Sequence, residues 1–221
     1  VQLQRDNLLV ALNCGGGGDC SISSFRSNSG IPIWEKYVDI QNCIYFTSAG
    51  DNLLFIDRVE RLDKKIYSLH IWNTISKVDV AKISLYEGSS YYRPKKIYNF
   101  DSLHILDADL DNRRYLTAVN SNNGAFIWEN EYETYPALRI KNLSLVRSDS
   151  LLLLSLSEQI QAINLFTGTE MWLFEYDDVE GIDYLGANSI DNNVLSFISD
   201  DDEYISINMQ NQEILFQEPI D

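Results

Sequence analysis

The stretch that decides the fold is Ala162-Ile163-Asn164-Leu165-Phe166-Thr167-Gly168-Thr169-Glu170-Met171-Trp172, because it recurs along the chain in modified form. Residues 24–34 and 118–128 are two further copies, and in all three a Trp lies four residues after a Gly. Two weaker copies carry Val78 and Phe216 at the Trp position, so the five equivalent positions are 44, 50, 44 and 44 residues apart. A period of this length is typical of proteins built from repeated supersecondary units.

Each copy is predicted to form a β-hairpin, with an alternating strand on each side of a loop rich in Ser, Asn, Thr and Gly. Gly30, Gly124 and Gly168 lie where the turn requires a positive φ, and in the last copy Asn211 beside Gln212 has to take that position. We expect the residues at the Trp position to fill the space between successive sheets. They include Trp34, Trp128, Trp172 and Phe216.

Strand-like segments follow one another in groups of four, and no helical periodicity interrupts them. We therefore predict an all-β fold, a β-propeller of about five four-stranded antiparallel blades. A single domain would span residues 1–221, with blades at approximately 1–39, 40–87, 88–133, 134–177 and 178–221. Two arrangements stay open, a compact five-bladed ring and a segment of a larger propeller.

The motif Ala-Ile-Asn-x-x-x-Gly-x-x-x-Trp at residues 162–172 resembles the repeat of the pyrroloquinoline-quinone-type (quinoprotein alcohol dehydrogenase-like) β-propellers. This resemblance covers essentially the whole chain and implies the fold, but it says little about function. Quinoprotein dehydrogenases of this family hold their cofactor with a vicinal disulfide, and this chain has no adjacent cysteines. The resemblance is thus to the non-enzymatic branch, and it implies no catalytic residues, no cofactor and an extracytoplasmic location, whether periplasmic, secreted or ER-luminal.

The composition narrows the classes of partner. The net charge of -16 argues against nucleic acid, because binding a phosphate backbone requires basic patches. No run of eighteen apolar residues occurs, so we predict that the chain does not span a membrane. A protein partner, not identified by the sequence, is the remaining expectation.

Of the three cysteines, at least one must be unpaired. Cys14 and Cys20 flank a run of glycines at the tip of a predicted hairpin, where they could form a disulfide in an oxidising compartment. Three reduced thiols, with Cys43 as the third, are the alternative.

Asp107, Asp109 and Asp111 alternate as in a calcium-binding loop. However, Tyr115 and Ala118 stand at the ninth and twelfth positions, where such loops need a ligand. A solvated acidic turn is therefore favoured over a metal site. His70 and His104 lie inside predicted strands without a metal-binding motif, so we interpret both as structural residues.

The largest interval between repeats includes residues 87–96, which we interpret as a lengthened loop. Its aromatic and basic side chains are unusual in an acidic chain, so it is a candidate contact surface as well as a candidate solvated loop. These side chains are Tyr91, Tyr92, Arg93, Lys95 and Lys96. The predicted function is a non-catalytic scaffold for protein interaction; the alternative is a ligand- or cation-binding sensor or enzyme that uses the central channel.

Overall fold

The computed structural model describes residues 2–5, 8–14, 20–38, 42–100, 102–133, 143–146, 150–156, 159–175, 184–191, 193–198 and 202–220. These residues contain twenty β-strands and no helix, so this part of the chain holds no helix that could cross a membrane. The predicted all-β class is confirmed. The first ten strands are β1 (Gln2–Arg5), β2 (Leu8–Cys14), β3 (Cys20–Arg26), β4 (Pro32–Val38), β5 (Cys43–Ala49), β6 (Asn52–Arg61), β7 (Lys64–Asn73), β8 (Val78–Gly88), β9 (Arg93–Phe100) and β10 (Leu103–Leu110). The others are β11 (Arg113–Asn120), β12 (Phe126–Glu133), β13 (Leu143–Val146), β14 (Leu151–Leu156), β15 (Gln159–Asn164), β16 (Glu170–Glu175), β17 (Tyr184–Asp191), β18 (Val194–Ile198), β19 (Glu203–Asn208) and β20 (Ile214–Pro219).

The strands form four-stranded sheets in which neighbours in the chain are neighbours in the sheet, as the sequence predicts. Five such sheets are found among the described residues: β1 to β4, β5 to β8, β9 to β12, β13 to β16 and β17 to β20. The chain divides into two compact units, Val1–Asp111 with Leu116–Phe126 and Asn112–Tyr115 with Ile127–Asp221.

In the first unit, the inner strands β6 and β7 of the β5 to β8 sheet are buried on both faces. Successive side chains of a strand point to opposite faces, and β6 divides its buried residues accordingly. Leu53 and Phe55 pack with Val10 and Trp72 in one apolar cluster. The alternate residues of β6 belong to a second cluster, together with side chains of β7, β10 and β11. Stacking of sheets through apolar side chains therefore builds the core of this unit.

In the second unit, the core lies between the β13 to β16 sheet and the β17 to β20 sheet. Leu153 and Ile160 pack in one cluster with Leu195 and Phe197, and all four are completely buried. Trp172 is partly buried and packs against this cluster. Burial of this much aliphatic and aromatic surface is the main favourable contribution to folding.

The hairpins before the fourth strand of each sheet share one turn. A residue with positive φ donates its backbone N–H to the carbonyl oxygen four residues earlier, at 2.8–2.9 Å in all five turns. In three of the turns this residue is a glycine, as predicted. The five donor and acceptor pairs are Gly30 and Arg26, Lys77 and Asn73, Gly124 and Asn120, Gly168 and Asn164, and Gln212 and Asn208.

The second repeat is shifted from its predicted register, and the assignment of Val78 to the Trp position is wrong. Ala81 pairs with Ile71 immediately before a β-bulge. In the first repeat, Trp34 likewise pairs with Ser24 immediately before a β-bulge. Ala81 therefore occupies the Trp position of the second repeat. With Ala81 in the frame, the intervals between the five positions become 47, 47, 44 and 44 residues. The extra residues are therefore shared between two repeats. The prediction of a lengthened loop at residues 87–96 is wrong, because β8 extends to Gly88 and β9 begins at Arg93.

Within each unit, successive repeats are joined by a recurring hydrogen bond. Lys36 Nζ donates to the carbonyl oxygen of Lys77 at 2.8 Å, and Asn130 Nδ2 donates to that of Gly168 at 2.8 Å. In both cases the donor lies two residues after the Trp, and the acceptor is the positive-φ residue of the next repeat. The repeat is therefore a unit of packing as well as a unit of sequence.

The residues at the Trp position lie in three different environments. Trp128 is 6% exposed and donates from Nε1 to the carbonyl oxygen of Leu165 at 2.9 Å. Trp34 is partly buried, with its ring 5.3 Å from that of Trp72. Phe216 differs from the expectation because 44% of it is exposed, with Tyr204 as its aromatic neighbour.

Replacing Gln212 with glycine is expected to stabilise the protein by about 0.5–1 kcal/mol. Gln212 has a φ of 57°, a region that costs a residue with a side chain roughly 1–2 kcal/mol, and the larger chain entropy of glycine offsets part of the gain. Urea unfolding measures the change. Unaltered or lower stability would show that the side chain of Gln212 contributes more than its strained backbone costs.

Candidate functional site

The aromatic–basic segment, residues 91–96, is anchored by one of its own side chains. Tyr92 is only 5% exposed, and its ring lies 5.6 Å from that of Tyr67. Ile97 belongs to the same apolar cluster, and its backbone N–H donates to Tyr45 Oη at 3.2 Å. The buried side chains of Tyr92 and Ile97 therefore fix the segment to the core. The burial of Tyr92 was not predicted from the sequence.

Tyr91 and Arg93, on either side of this anchor, are exposed. Tyr91 is 54% exposed, and Lys65 Nζ lies 3.7 Å from its ring centroid while donating to the carbonyl oxygen of Ser89. A cation at this distance restricts the ring through a cation–π interaction. Arg93 forms no ion pair with any residue that the structure describes. An aromatic ring and a guanidinium group are thus available to a partner.

The two lysines of the segment are already engaged. Lys95 forms an ion pair with Asp109 at 2.7 Å, and Lys96 Nζ lies 4.5 Å from the ring of Tyr98. Of the predicted contact residues, the structure therefore presents Tyr91 and Arg93 most directly.

The three aspartates with calcium-like spacing do not form a common site. Asp107 is buried, and Asp109 is the ion-pair partner of Lys95. Asp111 lies in the turn after β10, where it accepts a hydrogen bond from Ser90 Oγ at 2.7 Å. Among the residues described, no three His, Cys, Asp or Glu side chains are grouped so that they could hold a metal ion.

Two of the three cysteines, Cys14 and Cys20, lie opposite each other in the β2–β3 pairing, and Cys20 is disulfide-bonded. The side chain of Cys14 lies outside the described part, so the pairing of these two cysteines stays a prediction. Cys43 is a free thiol whose pKa burial raises to about 11, so it stays protonated at neutral pH.

A polar cleft of about 410 Å³ lies in the first unit, where four hairpin turns come together. They are the turns after β5, β7, β9 and β11. Amide side chains form much of its wall, with one imidazole and one aromatic ring. The lining residues are Ala49, Gly50, Asp51, Asn52, Asn73, Asn99, Phe100, His104, Ser121 and Asn122. Its volume lies in the range of small-molecule sites, roughly 300–1,000 Å³.

Hydrogen bonds hold one wall of this cleft in a single arrangement. Asn73 Nδ2 donates to Asn52 Oδ1 at 2.9 Å, and Asn52 Nδ2 lies 3.5 Å from the carbonyl oxygen of Ser121. Asn73 Oδ1 in turn accepts from the backbone N–H groups of Ile75 and Ser76. The cleft is thus shaped before any ligand arrives.

His104 stands out in this cleft. It is 2% exposed, and neither ring nitrogen has a hydrogen-bond partner among the described residues. Burial lowers the pKa of its imidazole from 6.5 to about 4, so the ring is neutral at physiological pH. The interpretation of His104 as an ordinary structural residue missed this feature. No local pattern in the sequence marks the cleft, because its four asparagines, Asn52, Asn73, Asn99 and Asn122, lie far apart in the chain.

No protein-family model and no curated protein sequence matches this chain. Solved structures do match. BamB from Moraxella catarrhalis has a TM-score of 0.51 and 14% identity, over 96% of this chain and 58% of that one. The quinohemoprotein alcohol dehydrogenase ADHIIG from Pseudomonas putida HK5 has a TM-score of 0.54 and 13% identity, over 99% and 41%.

A europium-containing methanol dehydrogenase is similar to the same degree, with a TM-score of 0.54 and 11% identity over 99% of this chain and 50% of the other. The chain thus spans about half the length of the solved structures it matches. At these identities the likeness shows the fold alone. The fold is similar to that of the β-propellers with quinoprotein-type repeats, and this group contains both BamB and dehydrogenases.

Proposed function

We propose that the chain is a non-catalytic β-propeller scaffold, of four-stranded blades, that binds a partner protein through the aromatic–basic segment. The observation that carries this proposal is the pairing of a buried anchor, Tyr92, with two exposed neighbours, Tyr91 and Arg93. Tyr and Arg are enriched among the residues that dominate binding energy at protein interfaces. A segment fixed before binding also loses less conformational entropy when a partner docks.

The charge of this surface indicates the chemistry of the partner. The whole chain carries a net charge of -16, whereas the segment contains Arg93, Lys95 and Lys96. Lys95 is paired with Asp109, so Arg93 and Lys96 are the basic groups that remain for a partner. An acidic segment of a partner protein would be attracted here and repelled by most of the remaining surface. Electrostatic complementarity would therefore determine where on the scaffold the partner docks.

The proposed location is extracytoplasmic. The disulfide at Cys20 supports it, since disulfides persist in oxidising compartments. The likeness to BamB also supports the proposed scaffold role, although a dehydrogenase has a similar fold. The other candidate function, a ligand-binding domain, is favoured by a different observation, the polar cleft around His104.

Loss of the exposed ring or reversal of the exposed charge is expected to weaken partner binding. Tyr91→Ala should weaken it about 30-fold, as for an interface residue worth about 2 kcal/mol, and Arg93→Glu at least as much. The measurement starts with a photoreactive amino acid at the exposed position 89, beside the segment, to capture the partner in cells of the source organism. Titration of the purified partner against each variant follows.

The matched control is Lys82→Glu, which reverses an exposed basic charge on β8, outside the segment. This variant should bind normally. If Lys82→Glu and Arg93→Glu weakened binding equally, the effect would come from net charge and the proposed surface would be wrong. If neither Tyr91→Ala nor Arg93→Glu changed the affinity, the segment would not be the binding surface.

A further inference from the structure

The β17 to β20 sheet has one face in the apolar core and one face outside it. Ile205 and Ile207 of β19 are completely buried in the cluster shared with the β13 to β16 sheet. Successive side chains of a strand point to opposite faces, so Tyr204 and Ser206 lie on the other side of β19. Phe216 is paired with Ser206, which places the side chain of Phe216 on this second face as well.

The second face exposes apolar side chains. Tyr204, Phe216 and Ile220 are 38%, 44% and 45% exposed, and the rings of Tyr204 and Phe216 are in edge contact with their centroids 6.0 Å apart. The hydroxyl group of Tyr204 is hydrogen-bonded to those of Ser196 and Ser206, which restricts its ring. Every residue of β20 is exposed, whereas the equivalent strands β4, β8 and β16 each contain partly buried residues. Exposed apolar faces of this kind are typical of interaction sites.

The charge of the chain is distributed unevenly along the sequence. Residues 1–147 contain 17 basic and 17 acidic side chains, so their net charge is zero. Residues 148–221, which include this sheet, contain 16 Asp and Glu residues and no Lys or Arg. Glu218 belongs to the second face itself, because it is paired with Tyr204. The apolar face therefore lies in the part of the sequence that carries the whole net negative charge.

This charge distinguishes between the molecules that could cover the face. A second copy of the chain would bring another 16 negative charges to the contact, and nucleic acids and anionic lipid surfaces are negative as well. All three are repelled. A protein segment that carries Lys or Arg beside apolar side chains is instead attracted by the charge and stabilised by burial of the apolar groups.

We propose that the second face of the β17 to β20 sheet binds a segment of a partner protein that is both basic and apolar. The apolar side chains of this segment pack on Tyr204, Phe216 and Ile220, and a Lys or Arg pairs with Glu218. In the first and third repeats the position of Glu218 is held by Lys36 and Asn130, which donate hydrogen bonds to the next repeat. A carboxylate can only accept, so this position now favours an incoming donor.

The proposed surface goes beyond the scaffold function inferred above. The aromatic–basic segment selects an acidic partner, whereas this face selects a basic one. Two surfaces of opposite character would allow one chain to bind two different partners.

Fluorescence anisotropy of short labelled peptides with the full chain tests the chemistry of the partner. One peptide alternates Lys and Leu, a second alternates Glu and Leu, and a third alternates Lys and Ser. We expect the Lys–Leu peptide to bind at least about tenfold more tightly than the other two, because only this peptide supplies both charge and apolar surface. No binding of the Lys–Leu peptide, or equal affinity of any two peptides that include it, would overturn the proposal.

Variants locate the binding. Phe216→Ser should weaken binding of the Lys–Leu peptide about tenfold, as for an interface residue of moderate contribution. The matched control is Phe166→Ser, because Phe166 lies in the same acidic part of the sequence and is 46% exposed, against 44% for Phe216. This control should bind normally. Glu218→Lys should weaken binding about fivefold, while Glu175→Lys, at an exposed position of β16, should have a smaller effect.

Urea unfolding of each variant checks that the fold is retained. Equal effects of Phe216→Ser and Phe166→Ser would show that the peptide binds elsewhere, and the assignment would be wrong. Sedimentation velocity tests the remaining occupant, a second copy of the chain. If the unaltered protein were a dimer that Phe216→Ser converted to a monomer, the face would be a self-association surface and the proposal of a basic partner would be refuted.

Discussion

Alanine in place of Gly168 should destabilise the protein by about 3–4 kcal/mol. Gly168 has a φ of +69°, where a side chain costs roughly 1–2 kcal/mol. A Cβ at this position would also lie 2.7 Å from two ring atoms of Trp128. Trp128 is buried and hydrogen-bonded to Leu165, so the ring cannot move aside without loss. Overpacking of this kind typically adds 1–3 kcal/mol.

Gly30→Ala is the matched control for this prediction. Gly30 has nearly the same φ, +66°, but its added Cβ would meet no atom within 4 Å. Its substitution should therefore cost only the backbone term, about 1–2 kcal/mol. Urea unfolding of both variants separates the two contributions. Equal losses of unfolding free energy would mean that the close contact between Gly168 and Trp128 does not add to the cost of the substitution. Successive repeats would then not be held together at this point.

Stability is expected to fall by roughly 3 kcal/mol between neutral pH and pH 4 because of His104 alone. Burial lowers its pKa from 6.5 to about 4 in the folded state. As the pH falls below 6.5 the unfolded chain takes up a proton on this histidine, and the folded protein does not until about pH 4. Protonation therefore favours the unfolded state throughout this window, and above it the contribution of His104 is constant.

The measurement is a series of urea unfolding curves at pH 7, 5.5 and 4.5 for the unaltered protein and for His104→Phe. Carboxyl groups titrate in both proteins, so the difference between their curves isolates the histidine. We expect the variant to lose less stability on acidification. Parallel pH dependences would show that His104 is solvated or hydrogen-bonded in the folded protein.

The strands and turns were largely predictable because their signals are local. Alternation of polar and apolar residues sets a strand, and Gly124 and Gly168 mark the positive-φ position of their turns. The second repeat was misread because it has neither the Gly nor the Trp. Its turn begins at Asn73, and asparagine stands at the same position in three other repeats. That asparagine, whose Oδ1 accepts backbone N–H groups of the turn, was the more reliable marker.

The functional features depended on contacts between distant parts of the chain. Composition singled out residues 91–96, but Tyr91 and Tyr92 are adjacent tyrosines, and only packing against Tyr67 decides that Tyr92 is the buried one. The same holds for the three aspartates with calcium-like spacing. Asp109 forms an ion pair with Lys95 and so does not form a common site with Asp107 and Asp111.

The repeat, the strand order and the turn geometry are therefore properties of the sequence itself, because each depends on interactions among residues close together in the chain. The polar cleft is a property of the tertiary structure. Asn52, His104 and Asn122 belong to different hairpins, and they line the same space only because the sheets of the first unit stack on one another. Stacking depends on many weak apolar contacts between residues that are far apart in the sequence. No local sequence pattern therefore shows which turns the stacking brings together.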